Sequence, residues 1–214
     1  MTPSPLIRRA GLPAVLALGL GLSGCISLFP SAKPVQLYRF AETAPAPATP
    51  APGGMIIGKG PISFPSDAGG DRLLTVSGNQ AAFIADARWI EPASLMFEEA
   101  VTAAFDQPGS PRLAVRGETF GARASLRLQV RRFEVDYDKG SGAAPSVEIA
   151  VNAVLIRSAD QSLAGEKLFV VRAPADDNRV GAIVAAYDQA VVQATGQVRD
   201  WTAATAGGIQ PSAV

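Results

Sequence analysis

Residues 126–137 read LRLQVRRFEVDY, and their apolar pattern changes parity half-way. The apolar residues occupy even positions before Arg131 and odd positions after Arg132. Side chains of a strand alternate between its two faces, so one extra residue is needed to keep a single apolar face through this change. The stretch therefore predicts a long strand that has one buried face and a β-bulge near these two arginines.

Apolar alternation predicts further strands on both sides of this one. They cover residues 35–40, 55–64, 72–77, 80–85, 147–157 and 162–172. Gly78 and Asn79 are expected to form the turn of a hairpin, and Asp160 and Gln161 the turn between the last two strands. Short connections of this kind favour antiparallel neighbours, so the predicted sheet is largely antiparallel or mixed.

Two other stretches have helical periodicity. The first begins with Pro92 at the first helical position and ends before Pro108. The second follows residues 176–178, which are expected to cap it, and ends at Gly207. Its predicted buried stripe consists of Ile183, Tyr187, Val191, Ala194, Val198 and Trp201. The prediction is one α+β domain, a sheet with both helices packed on one face.

The N-terminal residues have the organisation of a secretory signal. Arg8 and Arg9 precede residues 10–22, which contain no charge. This apolar run is too short to span about 30 Å of hydrocarbon, so a permanent transmembrane anchor is not expected. It is followed by small residues, as at a cleavage site.

Residues 22–25 read Leu-Ser-Gly-Cys, which matches the bacterial lipobox. Cleavage is expected between Gly24 and Cys25, with lipid attached to Cys25. The alternative is an ordinary cleaved signal in which this cysteine has no role. The expected organisation is a cleaved signal over residues 1–24, a lipidated tether over 25–34, a domain over 35–206 with a proline-rich loop at 41–54, and a disordered tail over 207–214.

Composition excludes several classes of function. The 214 residues include 19 basic and 19 acidic side chains, so there is no field that would attract nucleic acid. The chain has no histidine, and Cys25 is its single cysteine. The commonest general base and metal ligand are therefore missing, and acylation would leave no thiol. We expect neither an enzyme nor a metal or cofactor site.

Three residues are candidates for contact with a partner or a lipid. Arg127 and Arg131 lie on alternate positions of a predicted strand, continuing from Arg123, and could face a lipid phosphate. The alternative, which we favour, is the solvated face of a sheet. Trp89 is either an anchor at an interface or a core residue under the first helix, and we favour the core.

The order of these features resembles the ABC-type transport auxiliary lipoprotein family, to which the lipoprotein of the paraquat-inducible system belongs. The lipobox is followed by Leu37-Tyr38-Arg39-Phe40, Ile57-Gly58-Lys59-Gly60-Pro61-Ile62, Arg72-Leu73-Leu74-Thr75, Trp89-Ile90-Glu91-Pro92 and Arg131-Arg132-Phe133-Glu134. The resemblance extends over nearly the whole chain beyond Cys25.

The resemblance implies a periplasm-facing lipoprotein that works with an MCE-domain protein, a permease and an ATPase. Such systems move phospholipids or similar hydrophobic molecules between the inner and outer membranes. Ile26 is not the aspartate that opposes sorting to the outer membrane in enteric bacteria, so the outer membrane is the expected location. Two functions stay open: an interaction protein that docks or tethers the assembly, which we favour, and a carrier that holds phospholipid between sheet and helices.

Overall fold

The computed structural model describes residues 34–40, 54–114, 117, 121–140 and 142–209. The expected signal, the lipidation site Cys25, the proline-rich residues 41–53 and the tail from residue 210 lie outside the described residues. The described residues from Val35 onward form one compact unit. Within it, no helix is long and apolar enough to cross a membrane.

Eight strands and two helices make up this unit. The strands are β1 (Gln36–Tyr38), β2 (Ile56–Ser63), β3 (Arg72–Ser77), β4 (Gln80–Trp89), β5 (Arg112–Ala114), β6 (Ala124–Asp136), β7 (Ser146–Arg157) and β8 (Leu163–Pro174). The helices are α1 (Ala93–Phe105) and α2 (Val180–Gly207). The predicted α+β class is confirmed.

Strand β6 is the centre of a mixed sheet that forks. Strand β7 pairs with β6 along its whole length and is followed by β8, both pairings being antiparallel. The opposite edge of β6 is divided between two parallel partners. Strand β2 pairs with its first half and leads on to β5, while β3 pairs with its end and leads on to β4 and β1.

The predicted bulge is confirmed. Val130 lies opposite Val151 of β7 and Arg132 lies opposite Ala150, so Arg131 is the extra residue. Because of this extra residue, Phe133 faces the core together with Val130 although their positions differ in parity. The bulge thus keeps one apolar face along all of β6.

The core is an aromatic cluster where the helices meet the sheet. The ring of Trp89 lies 4.9 Å from that of Phe40 and 5.0 Å from that of Tyr187, both edge-on. Phe133 of β6 lies 5.0 Å from Tyr187. The Tyr187 hydroxyl has no hydrogen-bond partner among the described residues, and burial raises its pKa, so it stays neutral.

Two predictions about where the helices begin are wrong by a small number of residues. Pro92 is the cap residue of α1 and not its first helical residue. Arg179 precedes α2 without a side-chain capping bond, whereas Asn178 accepts a hydrogen bond of 2.8 Å from the Tyr137 hydroxyl. At α2 the expected capping residue thus bonds to a tyrosine of a distant segment, a tertiary contact that a local capping pattern does not contain.

Candidate functional site

Strand β8 offers the longest unpaired edge among the described strands. It has twelve residues and pairs only with β7. The end strands of the other two branches, β1 and β5, have three residues each, and the outer edge of β4 is unpaired only over residues 80–86. A long edge presents a row of backbone N–H and C=O groups that can pair with another chain, and most proteins keep such edges short or covered. The β8 edge is therefore a candidate for binding a partner.

The outward side of β8 is apolar as well. Phe169, Val171 and Ala173 are buried on the side of α2, and alternation places Leu168 and Val170 on the opposite face. These two side chains are 50% and 56% exposed. We call Leu168 and Val170 the β8 patch, which combines an exposed apolar surface with a free backbone edge.

An ion network lies at the end of this face. The buried carboxylate of Glu148, on β7, accepts a hydrogen bond of 2.6 Å from Nη1 of Arg132 on β6 and another from Arg172 on β8. Arg172 also bonds to Asp136 at 3.0 Å and to Asp138 at 3.2 Å. The network joins three neighbouring strands and gives the β8 patch a charged border.

The two carboxylates at the centre of this region have opposite electrostatic environments. Burial alone would raise the pKa of Glu148, but the hydrogen bonds from Arg172 and Arg132 outweigh burial and hold that pKa below its ordinary value. For Glu134, burial is the largest effect and raises the pKa, with the Arg132 charge opposing it. Glu148 is thus held as an anion, which keeps both arginines in place.

Replacing Glu148 with glutamine should change how stability depends on pH. A lowered pKa in the folded state contributes stability above the ordinary glutamate value near 4.3, and this contribution is lost as the pH falls through the lowered pKa. Urea unfolding of the wild type and Glu148→Gln should therefore differ most at pH 6–7 and converge towards pH 3. A difference that is constant with pH would contradict the stabilised anion.

A match to a family model identifies the family of the protein that has this surface. Residues 38–199 match the model of the ABC-type transport auxiliary lipoprotein component. The chain belongs to this family. The resemblance inferred from the lipobox and the dispersed motifs is confirmed, and the chain is an auxiliary lipoprotein of the cell envelope, associated with a membrane and with an ABC transport system. A role in transport agrees with the expected non-enzymatic function.

Solved structures show the same fold. The crystal structure of protein XCC0632 from Xanthomonas campestris, described as belonging to the DUF330 family, is 28% identical with a TM-score of 0.66, covering 80% of this chain and 97% of that chain. The hypothetical protein CT253 from Chlamydia trachomatis is 7% identical with a TM-score of 0.50, covering 72% and 98%. At that identity the likeness is one of fold. No curated protein matches this auxiliary lipoprotein.

One of the three candidate contact residues is buried and the other two are exposed. Trp89 is buried in the aromatic cluster, the position that the sequence favoured, and its side chain does not reach the surface. Arg127 and Arg131 are exposed on β6. Their contact with a partner or lipid stays a prediction, as do the cleavage between Gly24 and Cys25 and the lipid on Cys25.

The β8 edge and the ion network were not among the features predicted from the sequence. One local signal was available: Glu148 interrupts an otherwise apolar run, VEIAV, at the start of a predicted strand. A charged residue within such a run predicts a buried partner of opposite sign. The partners Arg132 and Arg172 lie 16 and 24 residues away, so the sequence alone does not identify them.

The clefts between described residues differ in their chemistry. The one between the β3–β4 turn and the end of β6 has a volume of about 710 Å³ and is lined by Arg132, Glu134, Asp136 and Asp138. A second cleft, of about 140 Å³, lies between α1 and α2. In the described ranges, no group of three or more histidine, cysteine or acidic residues could hold a metal ion.

Proposed function

We propose that this auxiliary lipoprotein docks an MCE-linked ABC transport assembly at the outer membrane, facing the periplasm. The assembly would consist of an MCE-domain protein, a permease and an ATPase, and would move phospholipids or similar hydrophobic molecules between the two membranes. Lipid on Cys25 would anchor the chain. The observation that supports docking is the β8 edge with its apolar patch.

Docking at β8 would use the backbone and the side chains together. A strand from the MCE-domain protein would pair with the unpaired N–H and C=O groups of β8, and its apolar side chains would cover Leu168 and Val170. The charged groups around Arg172 would form the polar rim that surrounds the core of a typical interface. Because the ion network joins β6, β7 and β8, this surface would be preorganised before binding, which lowers the entropic cost.

The alternative function is a carrier that encloses phospholipid between sheet and helices. A carrier needs a contiguous apolar cavity, usually of several hundred Å³. In this chain the inward face of α2 consists partly of Ala186, Ala190 and Ala194, all buried, which favours close contact between helix and sheet. The large cleft beside Glu134 and Asp138 is lined mainly by charged and polar groups. Such a cleft would neither bind acyl chains nor shield them from water. Docking is therefore the preferred function.

Charge in the β8 patch should weaken binding of the transport partner. The double variant Leu168→Glu/Val170→Glu would bury two carboxylates at the interface, and we expect at least a tenfold loss of affinity for the MCE-domain protein. The control is Val192→Glu, because Val192 on α2 is 55% exposed, nearly the same as Val170. Binding is measured by native mass spectrometry and by titration of the purified proteins.

Two results would contradict this proposal. Equal affinities for the double variant and the Val192→Glu control would show that β8 does not bind the partner. A stoichiometric phospholipid on the isolated protein would instead support the carrier. Circular dichroism melting of each variant checks that the domain remains folded.

A further inference from the structure

The sheet has a second exposed apolar surface, at the edge farthest from β8 in strand order. Val35 is 47% exposed, Leu37 is 61% exposed and Ile90 is 47% exposed. Docking at β8 does not use these side chains, since β4, β3, β6 and β7 lie between β1 and β8. We call Val35, Leu37 and Ile90 the β1 patch.

Pairing between β1 and β4 places the three side chains on one face. Leu37 lies opposite Arg88, and the parallel ladder continues with a 2.9 Å hydrogen bond from the Ile90 N–H to the Tyr38 carbonyl. Trp89, which lies between Arg88 and Ile90 in the chain, is buried on the core side. Because side chains alternate, Ile90 points to the opposite side together with Leu37 and, two residues earlier, Val35.

The chain length to the lipidated cysteine limits how far this patch can be from a membrane. Nine residues, 26–34, separate Cys25 from Val35. Nine residues can reach at most about 30 Å. We propose that the β1 patch inserts into the interfacial region of the bilayer that holds the Cys25 lipid. This inference rests on the acylation of Cys25, which is part of the proposed function.

Charged side chains of both signs surround the patch, and Arg72 of β3 lies opposite Arg88. Arg88 forms an ion pair of 3.0 Å with Asp71, and the exposed Arg39 and Glu91 flank the patch with opposite charges. Attraction to anionic lipid is therefore weak, and apolar contact supplies the binding. A tether of only nine residues gives an effective concentration in the millimolar range, so a patch with only millimolar affinity would be occupied much of the time.

Contact at the β1 patch would orient the domain. From β1 to β8 the strand order has five steps, through β4, β3, β6 and β7, which at about 4.8 Å each separates the two edges by about 24 Å. With β1 at the membrane, the β8 edge would lie on the side that faces away from it. The free edge would then be accessible to a partner that spans the periplasm.

The test uses a fluorophore attached to the patch. Cys25 is the only native cysteine, and acylation blocks its thiol, so Leu37→Cys in the full-length lipoprotein accepts a single polarity-sensitive label. Val192→Cys on α2, also more than half exposed, is the matched control. In phosphatidylcholine vesicles the label at position 37 should be at least three times brighter than the label at position 192. A quencher on the acyl chains should quench it, at 0.1 M and at 0.5 M NaCl alike.

Each other outcome identifies what is wrong. Equal brightness and quenching at the two positions, on protein that floats with vesicles, would overturn the membrane contact and leave acylation intact. Failure to float would overturn acylation and this inference with it. A label at position 37 that is shielded in the Cys25→Ser protein without vesicles would show that protein, and not lipid, covers the patch. When Ile90→Asp is combined with the labelled Leu37→Cys variant, the brightness of the label in vesicles should fall several-fold. An unchanged brightness would also overturn the contact.

Discussion

Replacing Trp89 with alanine is expected to lower the free energy of unfolding by about 3–5 kcal/mol. Trp89 is buried at the end of β4, where its ring packs against Phe40 and Tyr187, and its backbone N–H donates a 2.8 Å hydrogen bond to the Asp71 carbonyl. Truncation leaves a cavity that the sheet and α2 can fill only in part. Urea unfolding at pH 7 measures the loss.

The matched control for this truncation is Trp201→Ala. Trp201 lies on α2 with its ring 6.0 Å from that of Phe169, but it is only partly buried. We expect its loss to be less than half of that at Trp89, because solvent already covers part of the ring. Equal losses would show that the aromatic cluster around Trp89 is not the main support of the core.

Replacing Gly60 with alanine is expected to destabilise the fold by roughly 1–3 kcal/mol. A Cβ at this position would lie 2.5 Å from the Leu126 carbonyl oxygen and 2.9 Å from Cγ of Arg127. Gly60 lies in the irregular segment where the register of β2 against β6 shifts, between Lys59 and Ile62. The nearest obstacle is backbone, so the pairing of β2 with β6 must move to admit the methyl group.

The same change at Gly196 should have the opposite sign. Gly196 lies within α2, and a Cβ there would meet nothing within 4 Å. Alanine is the better helix former, so Gly196→Ala is expected to stabilise the protein by about 0.5–1 kcal/mol. Both variants are compared by denaturant midpoint. A Gly60→Ala protein as stable as the wild type would contradict the close approach of β2 and β6.

Much of the fold could be predicted from local patterns. The change of parity at Arg131 predicted the bulge, and Gly78 predicted the hairpin turn, where the structure has a φ of +60°. The stripe containing Ile183 and Tyr187 predicted the buried face of α2, but its last member, Trp201, is only partly buried. These features succeed because the alternation of side chains and the permissive backbone of glycine act within a few residues.

Strand β5 and the candidate site at β8 could not be predicted from local patterns. Strand β5 has three residues and is held by pairing with β2, a contact between distant segments that leaves little local pattern. Leu168 and Val170 belong to a strand that was predicted correctly, but nothing in their sequence states which neighbour β8 lacks. Exposure of these side chains and of the β8 edge follows from the order of strands in the sheet.

By itself, the sequence determined the class of the domain, both helices and all strands but β5, because each depends on the chemistry of neighbouring residues. The lipobox that ends in Cys25 is a prediction of the same local kind. Tertiary structure alone decided the fork of the sheet at β6, the free edge of β8 and the placement of Glu148 between Arg132 and Arg172. These features depend on which distant segments pair. Such pairing is selected by the burial of the whole apolar face and not by any one stretch of the chain.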